Sequence, residues 1–164
     1  MRYFHTIPPV FDESSSILIL GSFPSVKSRE GMFFYHHPQN RFWRVLSILL
    51  GTPLPLTIDE KRNMLLQNRI ALWDVIESCD IVGSQDSSIS AAAPNNLLLI
   101  TNNSNIKHIF TNGGTAFSLY NRYGRAMTGI KAVKLPSTSP ANAKFDLESL
   151  VFKWGVISDL LGKR

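Results

Sequence analysis

The densest chemistry in the sequence lies between Met32 and Trp43. Phe33, Phe34, Tyr35, Phe42 and Trp43 share that segment with His36, His37, Asn40 and Arg41. Aromatic faces beside basic groups are what stacking on a nucleobase with phosphate contact requires. Core packing competes for the same residues. Phe42 and Trp43 fit the apolar face of a helix, whereas Tyr35 precedes that helix, carries a hydroxyl and is open to either role. His36 and His37 are adjacent, neighbouring side chains rarely converge on one ion, and no spaced cysteine or carboxylate set accompanies them, so no metal is expected. Ser22 and Ser25 stand outside a Gly-x-Ser-x-Gly elbow, which argues against a serine hydrolase. Gly113-Gly114 lacks dinucleotide-binding spacing. Cys79 is the sole cysteine. It excludes internal disulfides and cysteine-held clusters, and reads as a packed or surface thiol.

Four loops carry the remaining candidates: Gly21-Ser22-Phe23-Pro24-Ser25, Trp73-Asp74, Asn112-Gly113-Gly114 and Pro136-Ser137-Thr138-Ser139-Pro140-Ala141-Asn142. Each follows a predicted strand: Ile17–Leu20, Arg69–Trp73, Lys107–Thr111 and Ile130–Leu135. Short apolar runs of this kind are typical of buried parallel strands. Helices are expected over Pro38–Gly51, Ile58–Gln67, Pro94–Asn102, Thr115–Arg122 and about Ala143–Leu161. Thr57 and Glu60 form a capping box for the second, and Gly51 ends the first. Met1–Ser16 reads as an extended lead-in. Strands alternating with helices imply an α/β fold with a parallel sheet covered on both faces. Ligands of such sheets gather at the carboxyl ends of the strands, where these small, polar loops lie.

The 164 residues fit one domain spanning 1–164, and the formal net charge is +5. The charge is uneven. No acid falls between Ser87 and Phe145, where Lys107, Arg122, Arg125, Lys131, Lys134 and Lys144 stand, while Asp59–Asp86 is acid-rich. A basic face suits a phosphate backbone. Apolar runs are too short for a membrane span and no secretory leader is evident, so a soluble cytoplasmic protein is expected.

The run Gly21–Trp43 (GSFPSVKSREGMFFYHHPQNRFW) with Leu135–Asn142 (LPSTSPAN) resembles the two signature motifs of the uracil-DNA glycosylase superfamily, and most closely its deoxyinosine (hypoxanthine) branch. Ala71–Ile76 (ALWDVI) and Gly83-Ser84-x-Asp86-Ser87 look like that branch too. The resemblance implies a three-layer α/β/α sandwich on a four-stranded parallel sheet. It implies an enzyme that flips a damaged nucleotide out of DNA and hydrolyses the bond from base to deoxyribose. Tyr35 then falls at the position that stacks on the flipped base, Asn112 lines the pocket, and Ser137, Thr138 and Ser139 lie in the loop that grips DNA near the lesion.

One departure matters. Many members of the superfamily carry Asp or Asn as the third residue of motif 1, where Phe23 stands here, and a motif 2 histidine where Leu135 stands. The deoxyinosine branch shares this gap, and there the Asn of the His-Pro-x-Asn run is the important catalytic residue, which is Asn40 here. The expected mechanism is that of a monofunctional glycosylase without metal or cofactor, acting as a monomer on DNA containing deaminated bases. Asn40 would orient water or hydrogen-bond the departing base, and backbone amides around Ser22 and Phe23 would meet its developing charge. A uracil or mismatch-uracil glycosylase, and a damaged-DNA binding module that has lost its chemistry, remain as alternatives.

Overall fold

A computed structural model describes residues 1–162. The first half contains β1 (Arg2–Phe4), β2 (Ile17–Gly21), α1 (Val26–Gly31), α2 (Phe42–Leu50), α3 (Ile58–Gln67), β3 (Ile70–Asp74) and β4 (Ile76–Asp80). The second contains β5 (Ser90–Pro94), α4 (Leu98–Thr101), β6 (His108–Asn112), α5 (Gly114–Leu119), α6 (Arg125–Thr128), β7 (Ala132–Leu135) and α7 (Leu147–Leu160).

β2 and β3 are buried at every position, as an apolar run must be when helices cover both faces of its sheet. The main sheet has the order β3-β2-β6-β7 and is parallel throughout. Helices cover it, with α2 packed on α7, α3 on β3, and α5 on β6 and β7. The result is the expected three-layer α/β/α sandwich. Because all four strands run the same way, their carboxyl ends open on one edge. That edge collects Gly21, Asp74, Asn112 and Leu135.

Local signals set several boundaries. Thr57 and Glu60 make both bonds of a capping box at α3, each 3.1 Å. Gly51 closes α2 in the left-handed conformation, φ 66°, which costs glycine little. The helix expected from Pro38 begins only at Phe42, because Asn40 Oδ1 accepts the Phe42 N–H at 2.9 Å and holds the preceding residues in a turn. The helix expected from Pro94 is shorter, Leu98–Thr101, because Pro94 ends β5.

A second sheet was not anticipated. β1, β4 and β5 form an antiparallel unit in the order β1-β4-β5. Met1–Ser16 is therefore a built-in part of the fold. Val10 exchanges backbone bonds with Leu72 at the outer edge of β3 (3.0 and 2.9 Å), and Ile7 O accepts the indole N–H of Trp73. Cys79 is fully buried in β4.

Candidate functional site

A cavity of about 1150 Å³ opens at the carboxyl ends of the parallel strands. Ser22, Phe23, Tyr35, Asn40, Asn112, Ser137, Thr138 and Ser139, all singled out from sequence, line it. The topology brings them together: Ser22 and Phe23 follow β2, Asn112 ends β6, and the three residues after Pro136 follow β7.

Asn40 is held by its oxygen. Oδ1 accepts the Phe42 N–H at 2.9 Å and the Thr138 hydroxyl at 2.8 Å. A backbone N–H can only donate, so the amide orientation is fixed by chemistry. The Nδ2 amino group has no protein partner among the described residues, and it is the part of Asn40 available to a ligand. Thr138 is fully buried. Its N–H donates to Asn112 Oδ1, and its Oγ1 accepts from Asn112 Nδ2, both at 3.0 Å. Thus a directed chain runs from the Asn112 amide through the Thr138 hydroxyl to Asn40, each bond polarising the next. Thr138 does not project a free hydroxyl at the surface of its loop; it joins Asn112 to Asn40.

Arg41, a basic group within the aromatic-rich segment, is bound to the protein itself. Its guanidinium donates to the carbonyls of Ser139 (2.8 Å), Asn142 (3.1 Å) and Phe145, and its backbone N–H to Thr138 O (3.1 Å). A rigid fork of five donors suits such a set of carbonyls. Arg41 therefore clamps the loop after β7 to the start of α2. The indole N–H of Trp154 adds a bond to Pro136 O at 2.9 Å.

Tyr35 lies on Phe42, ring centroids 4.1 Å apart and 22° from parallel. Its φ of 52° is unusual for a bulky residue. Its hydroxyl is buried with no hydrogen-bond partner among the described residues. Burial pushes its pKa far above the ordinary phenol value, the Asp74 carboxylate adds to the rise, and the nearby Asn112 amide opposes it. Gly21 makes room for these groups: a Cβ there would stand 2.3 Å from Asp74 Oδ1 and 2.9 Å from the Tyr35 hydroxyl. Only glycine permits that approach.

Two contributors were missed in sequence. His5 Nε2 donates to Asp74 Oδ2 at 2.8 Å, with both side chains almost completely buried. Asp74 both ends its strand and lines the cavity. The His5 ring also meets the edge of Phe23, centroids 6.1 Å apart. A lone histidine in an N-terminal arm gives no signal of this contact. The second is Asp86, which lines the cavity and accepts the Ser22 hydroxyl at 2.7 Å. Desolvation raises the pKa of its carboxyl, the Ser22 bond lowers it, and Asp74 raises it further. Asp86 sits in a run that matched the resembled family but suggested no role by itself. Lys134 and Lys153 add positive charge to the cavity lining.

The family model of the uracil DNA glycosylase superfamily matches residues 8–161. A protein from Methanosarcina acetivorans named hypoxanthine DNA glycosylase is 35% identical over 139 residues, covering 84% of this chain and 87% of the relative. A protein of the same name from Methanosarcina barkeri is 34% identical with the same coverage. A solution NMR structure from Methanosarcina acetivorans, described provisionally as a uracil DNA glycosylase, matches with a TM-score of 0.83 at 33% identity, over 99% of both chains.

Proposed function

Because this chain belongs to the uracil DNA glycosylase superfamily, we propose that it excises hypoxanthine from DNA, hydrolysing the N-glycosidic bond of a flipped deoxyinosine and leaving an abasic site. Two relatives named for this activity support the choice of base. The observation that carries the mechanism is the orientation of Asn40. With its oxygen bound by Phe42 and Thr138, it meets a ligand as a donor. An amide does not titrate usefully, so Asn40 is no general base. As the bond breaks, the electron pair leaves with the purine and negative charge spreads over its ring nitrogens and O6. A fixed N–H aimed at that charge stabilises the transition state more than the ground state.

In this reading the Tyr35 and Phe23 rings wall in the extruded base, and Asn112 lines the pocket while holding Thr138. Ser137 and Ser139 sit on the loop clamped by Arg41, and in this reading they contact the phosphates beside the lesion. The protein acts without metal or cofactor, as a monomer.

The test is excision from duplexes carrying a single deoxyinosine, deoxyxanthosine or deoxyuridine, read as alkali-sensitive sites. Release of hypoxanthine, with Asn40→Ala slower by about 10²-fold or more and still folded, is the expected result. Release of uracil alone reassigns the base. Tight binding to lesion DNA with no abasic product reassigns the protein to the binding class.

A further inference from the structure

We propose that Asp86 is the catalytic carboxylate of this site, holding the attacking water and facing the sugar cation, with Ser22 as its positioning residue. The inference rests on the glycosylase reading above. The third residue of the first motif, Phe23, is apolar and buried, so no ionisable group stands there. The cavity nevertheless contains Asp74 and Asp86. Asp74 is committed at Oδ2 to the His5 ring, and its Oδ1 packs over Gly21. Asp86 uses Oδ1 to accept from Ser22, and its Oδ2 has no partner among the described residues.

The segment that carries Asp86 is fixed. Asp86–Ser88 form a single 3-10 turn. Val82 N–H donates to Ser88 Oγ at 2.8 Å, and Ser88 Oγ donates to Gln85 O. From the other side, Arg29 Nη2 donates to Gly83 O at 2.7 Å, and Val26 N–H to Ser84 Oγ at 2.9 Å. The loop is thereby docked onto the residues that follow β2. The residue itself is exposed at the rim, but its carboxyl is turned onto Ser22. A carboxylate with one serine partner and no cation paired to it among the described residues is a poor structural fastener. A free oxygen in a cavity built to break a glycosidic bond has a clear use. The C1′–N9 bond breaks and its electron pair leaves with the purine. The water oxygen bonds C1′, and the proton it loses passes to the Asp86 carboxylate and then to a purine nitrogen. Although the residue reaches solvent, its carboxyl is desolvated against Ser22, and that raises its affinity for the proton and favours the transfer.

The titratable groups sharing its field are Asp74 from the end of β3, Tyr35 from the loop before α2 and Cys79 from β4. Arg29 is held nearby on Gly83 O. Single-turnover excision from a deoxyinosine duplex, across pH, should be measured for wild type, Asp86→Asn and Ser22→Ala, each with a melting curve. Asp86→Asn keeps the acceptor for Ser22. It is expected to fold and to lose about 10²-fold or more in rate. Ser22→Ala removes the bond that holds the carboxyl down, so its acid limb is expected to move to higher pH. A folded Asp86→Asn as fast as an active wild type overturns this role alone. If Asp86→Asn does not fold, Ser22→Ala decides: an unmoved acid limb overturns the role. A wild type inactive on every lesion overturns the glycosylase reading, and this role with it.

Discussion

The Thr138 hydroxyl donates to Asn40 Oδ1 at 2.8 Å, joining the two motif loops across 98 residues of sequence. Thr138→Val keeps the shape and removes that donor. Asn40 is then free to rotate, and a misplaced donor costs about 10²-fold in rate. The Asn112 amino group also loses its acceptor, which destabilises the fold by about 1–3 kcal/mol. Thr138→Ser, which retains the hydroxyl, should restore most of the rate in the same single-turnover assay.

Arg41→Lys tests the clamp. A single ammonium cannot reach the carbonyls of Ser139, Asn142 and Phe145 together. Urea unfolding should show a loss of about 1–3 kcal/mol. Amide exchange should accelerate between residues 138 and 145 while the β2 and β3 amides keep their protection.

Tyr35→Phe removes a buried hydroxyl that has no hydrogen-bond partner of good geometry among the described residues. Stability should rise by about 1 kcal/mol, because the desolvation cost disappears. Excision should fall, since a group kept at a cost to folding is there for the ligand. Thermal melting and kcat/KM on the same protein check both halves.

Asp86 makes a prediction about pH and stability. Its folded pKa is raised, chiefly by desolvation of the carboxyl at the cavity rim. The folded state therefore binds its proton more tightly than the unfolded state does, and the associated stability is lost as pH rises through the folded pKa. Asp86→Asn should be more stable than wild type at neutral pH. The difference should vanish once the solution is acid enough to protonate the carboxyl in both states. Denaturant midpoints measured from acid to neutral pH give the comparison.

Lys134 and Lys153 lie at the cavity with exposed side chains. Replacing either with Ala should weaken DNA binding to a similar degree with or without a lesion. Each should reduce the slope of log affinity against log salt by about 1.

The parts of the fold visible in sequence were those written locally. The apolar run Ile17–Leu20, the Thr57–Glu60 capping box and the Gly51 stop each depend on a few neighbouring residues. The antiparallel sheet was not legible, because β1 has three residues and β4 alternates irregularly between buried and exposed positions. β5 is an alanine run ending at Pro94, which carries little strand signal. The candidate site followed the same division. Loops after strands were visible as loops and Tyr35 stood out by type, while the roles of Asn40 and Asn112 came from the family resemblance. The Thr138 partner of Asn40 and the carbonyls that Arg41 clamps are long-range contacts that spacing does not encode. His5 and Asp86 were missed for the same reason.

The bonds that complete the site join the two motif loops across a long stretch of chain: residue 40 to 138, and residue 41 to 145, the latter 104 positions apart. Closing such long loops is slow relative to pairing neighbours. In a refolding chain, α3 and its capping box can form from local contacts alone, whereas the Asn112–Thr138–Asn40 chain needs β6, the turn after β7 and the residues before α2 in place together. Recovery of activity should therefore trail recovery of helical signal. The capacity to act on DNA is among the last properties the polypeptide acquires.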